Sequence, residues 1–276
     1  MLPNSLFEIF GRGIYAYGIF IAVGILTCLL VFFYFTKKRG MTQKVQDFTF
    51  FIVIVAIFFG FLFAKLYQAI YNWIQDGYFD FYSAGITAMG GFIGGAATFI
   101  LFYFLIGKFY FKGKEKELYV KQFNITLSVA PICITIAHAF GRIGCLMSGC
   151  CHGAYLGKNY VFGGIWMRGT TDGWGYYVPT QLYEALFLFL LFGVLTYLYF
   201  NRCNILMQIY LIAYGVWRMI IEIFRTDARG AIVLGLAPSQ WQSIVFIVGG
   251  VGLIVFYIWR KIPLFFTKEL KSKESK

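Results

Sequence analysis

The feature that most constrains this chain is a series of long, mostly apolar stretches, each with the length needed to cross a lipid bilayer. A helix needs about 20 residues to span a hydrocarbon core of about 30 Å. Hydrophobic residues make up 60% of the 276 residues and charged residues only 13%, which excludes a soluble domain, and the many aromatic residues exclude a disordered chain. The sequence therefore predicts an all-α polytopic membrane protein with seven transmembrane helices, near residues 14–36, 48–71, 88–107, 123–145, 181–200, 205–225 and 239–260.

The distribution of positive charge predicts the orientation of these helices. The formal net charge is +12, which in a soluble protein would suggest nucleic-acid binding. Here most of the 24 Lys and Arg residues follow the first, third and fifth stretches or lie in the tail, all of which share one side of the membrane. Cytoplasmic segments carry such an excess. We therefore predict an N-terminus outside, a single integral membrane domain over 1–276, a basic cytoplasmic tail over 261–276, and no nucleic-acid partner.

One long polar excursion interrupts the apolar pattern. Residues 146–180 contain eight of the 31 glycines, and several Tyr and Trp residues lie among them. Long loops between packed elements are commonly functional, and Tyr and Trp are typical of the membrane interface. We predict an extracytoplasmic loop that lies on the interface and contributes to the function.

The sixth stretch carries ionisable residues inside an apolar helix. Tyr214, Arg218 and Glu222 recur at a spacing of four residues, so they share one helical face, and Arg225 follows at the outer end. An intramembrane charge is costly and needs either a partner or a function. Two interpretations are open: an ion pair between Arg218 and Glu222 that only satisfies itself, or a cationic site for an anionic headgroup in which Glu222 orients the guanidinium.

The end of the fourth stretch shows a second polar pattern. His138 and Arg142 are four residues apart, and glycines at 141, 144, 149 and 153 permit close backbone approach. A lone histidine in a helix is often a satisfied core residue. His138 is therefore either part of the packing or, because it shares a face with Arg142, part of the chemistry.

Three of the six cysteines cluster after this helix. Cys145, Cys150 and Cys151, followed by His152, allow a thiolate nucleophile or redox pair, a metal site, or simple packing. The spacing lacks the paired C-x2-C units of a structural zinc module. On spacing alone a metal site is thus the weakest of the three interpretations, and the nucleophile and packing interpretations are equally open; we expect no metal and no cofactor.

Motifs along nearly the whole chain resemble those of the prolipoprotein diacylglyceryl transferase family. They are Tyr15-Ala-Tyr17-Gly18, Gly90-Gly-Phe-Ile-Gly94, Gly141-Arg-Ile-Gly144, Pro179-Thr-Gln-Leu-Tyr-Glu184, the spaced residues Tyr214, Arg218, Glu222, Arg225 and Asp227, and Gln240 with Ser243. The sixth-helix pattern is the most specific of them.

The resemblance implies an enzyme at the outer face of the bacterial cytoplasmic membrane. Such an enzyme moves a diacylglyceryl group from phosphatidylglycerol to a cysteine thiol of a lipoprotein precursor, whose signal peptide is its second partner, and forms a thioether. Arginines would bind the leaving phosphate and tyrosines would donate hydrogen bonds. The expected catalytic residues are Arg142, Arg218, Tyr214, Glu222, His138, Cys145, Cys150 and Cys151, and the expected substrate-binding residues are Tyr17, Gly90, Gly91, Ser148, Gly153, Gln181, Arg225 and Gln240.

The chain departs from the family pattern at two places. Met89 stands where the family has a histidine before the third-helix Gly-Gly pair, so a proton acceptor is missing there. Cys145, Ser148 and Cys150 stand where the family has two asparagines and an acidic residue. These departures leave two alternatives: a membrane thiol, redox or sulfur-transfer enzyme that uses the cysteines on the same lipid-binding fold, or a non-catalytic homologue that binds lipid or metal.

Overall fold

The computed structural model describes residues 7–9, 12–159, 162–169, 173–225 and 235–264, and these residues form seven α-helices and five short β-strands. Asp227 and the tail from residue 265 onward lie outside the described residues. The helices are α1 (Ala16–Lys38), α2 (Gln43–Asp76), α3 (Ala88–Tyr110), α4 (Lys114–Ser148), α5 (Thr180–Phe200), α6 (Leu206–Glu222) and α7 (Pro238–Trp259). The strands are β1 (Phe7–Ile9), β2 (Arg12–Ile14), β3 (Tyr155–Gly157), β4 (Ile165–Arg168) and β5 (Trp174–Tyr177).

Six of these helices are long and apolar enough to cross a membrane, so the prediction of a helical, multi-pass membrane protein is confirmed. The exception within the described part of the chain is α6, which has 17 residues and carries Arg218 and Glu222. A 17-residue helix rises only about 26 Å. The count of seven spans and the outward N-terminus therefore stay predictions.

Two of the helices extend well beyond their apolar stretches. α2 has 34 residues and α4 has 35, because polar first turns continue the same helical backbone before the apolar part begins. α2 is followed by Gly77, whose φ of 78° is the left-handed conformation that commonly terminates a helix. Hydropathy detects only the part of a helix that suits lipid, so it underestimated both lengths.

The segment predicted as a loop contains a small β-sheet. After α4 ends at Ser148, strands β3, β5 and β4 form an antiparallel sheet with β5 in the centre. Tyr177 of β5 is fully buried, and its hydroxyl donates to the carbonyl oxygen of Gly173. The sheet satisfies the backbone polar groups of a glycine-rich segment that the sequence could not assign to regular structure.

The chain divides into two compact units, of which the first comprises Met1–Phe32 with Leu127–Lys276. Within this unit α1 packs against α4 where Gly24 lies beside the backbone of Ala137. α6 packs against α7 at Gly215 and Gly250, where an added Cβ would approach the carbonyl oxygens of Ser243 and Gln208, respectively, at 3.1 Å. Small residues thus bring these helix backbones into close contact.

The second unit is Phe33–Thr126, in which α2 and α3 form an extensive contact. Its core is a cluster of aromatic rings, in which Phe111 stacks on Tyr119 and the Tyr103 hydroxyl donates to the Tyr119 carbonyl oxygen at 2.9 Å. Lys65, an isolated cation in α2, donates to the Tyr82 carbonyl oxygen and lies over the Phe81 ring. The Lys65 ammonium group therefore has its partners in the segment between α2 and α3.

Candidate active site

The polar centre of the first unit is built around Glu184, in the second turn of α5. Its side chain is 1% exposed. One carboxylate oxygen, Oε2, lies 3.0 Å from Nε of Arg142, and the other, Oε1, accepts a hydrogen bond from the Tyr214 hydroxyl at 2.9 Å. Three helices, α4, α5 and α6, therefore meet at one buried carboxylate.

His138 lies in the same cluster, one turn before Arg142 on α4. Its Nε2 is 3.8 Å from Oε1 of Glu184, and its ring contacts the Tyr214 ring edge-on with centroids 5.1 Å apart. The histidine thus faces the polar centre and not lipid. His152, the other histidine, is buried beside Tyr177 and its Nδ1 lies 2.9 Å from the Gly153 carbonyl oxygen.

Arg218 provides the second guanidinium. It lies four residues after Tyr214 on α6, is 7% exposed, and its Nη2 is 3.1 Å from Oε2 of Glu222. The charges of both Arg142 and Arg218 act on the Glu184 carboxylate and the Tyr214 hydroxyl. The two arginines, from separate helices, therefore lie within electrostatic range of the same groups.

Each of these arginines has a buried N–H without a hydrogen-bond acceptor among the described residues. The atoms are Nε of Arg142, which is close to Glu184 but not aligned with it for a hydrogen bond, and Nη1 of Arg218. A buried donor without a partner costs about 1–3 kcal/mol. Such donors are suited to an anionic ligand that supplies the missing acceptors.

The first turn of α5 holds the cysteine segment in place. The Thr180 hydroxyl donates to the Cys151 carbonyl oxygen at 2.9 Å, and the Gln181 amide donates to the Cys150 carbonyl oxygen. Both side chains are nearly fully buried, and Oε1 of Gln181 has no hydrogen-bond partner among the described residues. Because Glu184 follows one turn later, the same helix positions the cysteines and the carboxylate.

The three clustered cysteines come together in the structure. Their sulfur atoms all lie within 4.8 Å of one another, each residue is partly exposed, and all three are free thiols. The Ser148 hydroxyl lies 3.1 Å from the Cys150 sulfur. Hydrogen bonds from the Cys145 and Cys150 thiols lower the pKa of the Cys151 thiol, and the charges of Arg225 and Arg142 act in the same direction.

Two further predicted residues border this cluster. Tyr17 of α1 packs its ring and carbonyl against Gly144, and its hydroxyl is electrostatically coupled to Arg142 and to the three cysteines. Gly153 donates its N–H to the Val178 carbonyl oxygen at 2.8 Å, and the Phe224 carbonyl oxygen and Thr180 leave no room there for a side chain. Gly153 is thus a close-packing position where the segment after α4 meets α5.

Three predicted substrate-binding residues have structural contacts of their own. Gly90 and Gly91 lie in the second unit at the contact with α2, where an added Cβ on Gly90 would overlap Tyr67 and the Phe63 carbonyl oxygen. Oε1 of Gln240 accepts from the Ala237 N–H at 2.9 Å and so caps α7. The substrate-binding roles of these residues stay predictions.

The sequence reasoning missed Glu184 as a member of the site. In the sequence Glu184 stands out only as the last residue of the motif at the start of α5, whereas the structure places it at the centre of the polar cluster. Its position could have indicated this role, because a carboxylate in an apolar helix needs a partner for the same reason that the Arg218 guanidinium does. Its partners lie on two other helices, so no spacing pattern within α5 could identify them.

Comparisons with known proteins place the chain in one family. A family model described as prolipoprotein diacylglyceryl transferase matches residues 4–256. The chain is 33% identical to a phosphatidylglycerol--prolipoprotein diacylglyceryl transferase of Clostridium tetani over 272 residues, which covers 92% of this chain and 97% of the relative. It is 32% identical to phosphatidylglycerol--prolipoprotein diacylglyceryl transferase 2 of Clostridium perfringens, over 88% of this chain and 91% of the relative. It is 30% identical to a phosphatidylglycerol--prolipoprotein diacylglyceryl transferase of Streptococcus pneumoniae, over 91% of this chain and 94% of the relative.

Proposed function

Because the chain belongs to the prolipoprotein diacylglyceryl transferase family, we propose that it moves a diacylglyceryl group from phosphatidylglycerol to a cysteine thiol of a lipoprotein precursor. The reaction forms a thioether at the precursor and releases glycerol phosphate. The observation that carries this proposal is the pair of arginines on separate helices: Arg142 lies 3.0 Å from Glu184, and Nη1 of the buried Arg218 has no hydrogen-bond acceptor among the described residues. The proposed location is the outer leaflet of the bacterial cytoplasmic membrane.

The first task of the site is to bind a phosphodiester headgroup. Nη1 of Arg218 is the donor we assign to a phosphate oxygen, Arg142 contributes its positive charge beside Glu184, and Glu222 holds the Arg218 guanidinium through its ion pair. The neighbouring Gln181 has an amide oxygen that no described residue contacts by a hydrogen bond, and this oxygen suits a glycerol hydroxyl. Only anionic or strongly polar headgroups satisfy all these atoms, which favours phosphatidylglycerol.

The second task is to stabilise the leaving group. When the thiolate attacks the glyceryl carbon, the C–O bond to phosphate breaks and its electron pair stays on the phosphate oxygen. Negative charge then grows where Arg142 and Arg218 supply fixed positive charge in a site of low water content. Glu184 orients Arg142, and the Tyr214 hydroxyl orients Glu184. These groups are held by three helices, so little reorganisation is needed during the reaction.

The test is lipidation of a reporter precursor by membranes that carry this chain. We expect the rate to fall by about 10²–10³-fold in Arg142→Ala and in Arg218→Ala, since each removes a fixed charge from the leaving phosphate. Arg218→Lys should remain impaired, because a lysine cannot reproduce the planar guanidinium contacts. Arg260→Ala is the matched control, since Arg260 is exposed at the end of α7.

The lipid dependence is measured in the same assay with defined vesicles. Phosphatidylglycerol should support lipidation and release one glycerol phosphate for each modified cysteine, whereas vesicles of phosphatidylethanolamine alone should not. Full activity in both alanine variants would remove the phosphate-binding role of the arginines and the mechanism built on it.

A further inference from the structure

The cysteine cluster beside Arg142 contains three sulfur atoms in a geometry that the proposed phosphate chemistry does not use. Cys145, in the last turn of α4, and the following Cys150 and Cys151 direct sulfur atoms to one point, with every pair within 4.8 Å. A tetrahedral ion with metal–sulfur bonds of about 2.3 Å holds its sulfur ligands about 3.8 Å apart. The thiols therefore need only small rotations to bind one ion together.

The backbone fixes this arrangement. The Cys150 N–H donates to the Cys145 carbonyl oxygen, and the turn is completed by left-handed φ angles at Gly149 and at Cys151, where φ is 62°. A non-glycine residue in this conformation persists where its surroundings hold it. Here the holding groups are Thr180 and Gln181, which bind the carbonyl oxygens of Cys151 and Cys150.

The surroundings also suit a bound thiolate group. Three thiolates and one divalent ion carry a net charge of −1, and the positive charges of Arg225 and Arg142 act on Cys151. Thiolate ligands favour soft ions such as zinc over magnesium or calcium. All three cysteines are partly exposed, so a fourth ligand can reach the ion. Three protein ligands with an open fourth position are typical of catalytic zinc sites.

We propose that Cys145, Cys150 and Cys151 bind one zinc-class ion and that its fourth position takes the acceptor thiol of the lipoprotein precursor. This inference rests on the proposed function for its substrate. It also provides a way to ionise that thiol. A metal ion deprotonates a thiol that coordinates it, so no histidine is needed for this step.

The acceptor thiol loses its proton to water when its sulfur binds the ion. The sulfur then uses an electron pair to form the C–S bond with the glyceryl carbon, the C–O bond to phosphate breaks, and its pair leaves with glycerol phosphate. The thioether is a weaker ligand than a thiolate and leaves the ion. No group is oxidised or reduced.

Metal binding is tested on the full chain purified in detergent without chelators. We expect one zinc per chain by elemental analysis, and after exchange with Co(II) an absorption band from thiolate-to-cobalt charge transfer. Cys145→Ser, Cys150→Ser and Cys151→Ser should each lose the band, whereas Cys28→Ser, which changes a thiol elsewhere in the same unit, should keep it. Elution of each variant as a monodisperse species separates metal loss from misfolding.

The role of the open position is tested on the Co(II) protein itself. A precursor peptide with its acceptor cysteine should shift the band, and the same peptide with serine should leave it unchanged. Removal of the ion should lower lipidation by about 10²-fold or more, the usual contribution of a proton acceptor, and zinc should restore it. No bound ion, no thiolate band in the wild-type protein, or full lipidation by metal-free protein would each overturn the proposal.

Arg218→Ala separates this inference from the proposed function. This variant should lose lipidation and yet keep both the zinc and the peptide-induced shift, because Arg218 belongs to the phosphate side of the site. If the wild-type protein shows the zinc and the peptide shift but lipidates no precursor, the transferase proposal fails while the thiol-binding metal site stands. If the wild-type protein lipidates precursor without metal, the transferase proposal stands and the proposed metal site fails.

Discussion

The Nε atom of Arg142 lies 3.0 Å from a carboxylate oxygen of Glu184, whose side chain is 1% exposed, and the Arg142 side chain is 15% exposed. This ion pair joins α4 to α5 at a place where the carboxylate is buried and the guanidinium is only slightly exposed. Removing one partner of a buried pair leaves the other uncompensated, which is more damaging than the pair itself is stabilising. We therefore expect loss of the Arg142–Glu184 ion pair to lower both the stability and the activity of the protein.

Glu184→Ala should destabilise the protein by about 3–5 kcal/mol, because the Arg142 charge stays buried without its partner. Thermal unfolding in detergent measures this effect. Glu184→Gln keeps the shape and an acceptor for Tyr214, so it should be less destabilised and still lose most of its lipidation activity. Glu115→Gln is the control, since Glu115 forms only an exposed pair with Lys44 and should change neither property measurably. Equal stability of Glu184→Ala and wild type would contradict the central position of this carboxylate.

Tyr214→Phe removes the hydroxyl that donates to Glu184 but preserves the ring contact with His138. A hydrogen bond to a charged acceptor contributes about 1.5–3 kcal/mol. We expect lipidation to slow by about 10–100-fold, with the stacking of the ring at position 214 on Tyr210 intact. Tyr197→Phe changes an exposed tyrosine of α5 and should have no effect. A wild-type rate in Tyr214→Phe would show that the hydroxyl does not orient the carboxylate during turnover.

Gly153→Ala should destabilise the segment between α4 and α5. Its Cβ would lie 2.9 Å from both the Thr180 methyl group and the Val178 Cβ and would overlap the Phe224 carbonyl oxygen. Overpacking of this kind costs about 1–3 kcal/mol. Gly141→Ala is the matched variant, because nothing lies within 4 Å of its added Cβ and helices prefer alanine. Differential scanning fluorimetry should show a lower melting temperature for the first variant alone.

Gly90→Ala and Gly91→Ala should differ in stability, although the two residues are adjacent. The Cβ of Ala at 90 would lie 2.6 Å from the Tyr67 Cβ and 2.8 Å from the Phe63 carbonyl oxygen, whereas at 91 the nearest atoms are 3.4 Å away. We expect only Gly90→Ala to lower stability, by about 1–3 kcal/mol. A raised KM for phosphatidylglycerol in a stable Gly91→Ala variant would instead support the substrate-binding role that the resemblance implies.

The helical, multi-pass architecture follows directly from the sequence. Continuous apolar stretches of about 20 residues predict transmembrane helices, because a helix satisfies its backbone hydrogen bonds within a single segment in lipid. The same argument singled out Arg218 and Glu222, which the structure pairs within one helix at 3.1 Å. Contacts four residues apart are encoded by helical geometry, so this pair could be read from spacing.

The sequence predicts contacts between distant segments only in part. The motif that ends in Glu184 was recognised, but its partners Arg142 and Tyr214 lie 42 and 30 residues away along the chain. The cysteine spacing argued against a metal, because it lacks paired ligands. The left-handed turn at Cys151 and the hydrogen bonds from Thr180 and Gln181 bring the sulfur atoms together in spite of that spacing.

The sequence by itself determined that this protein crosses a membrane with helices, that its charges in lipid-facing stretches need partners, and that its motifs resemble those of a lipid-dependent transferase. Only the tertiary structure decided that Glu184 is the common partner of Arg142 and Tyr214, that His138 faces it, and that three cysteines converge. The reason is physical: periodicity fixes neighbours within one helix, whereas the packing of separate helices decides which buried charges and thiols meet.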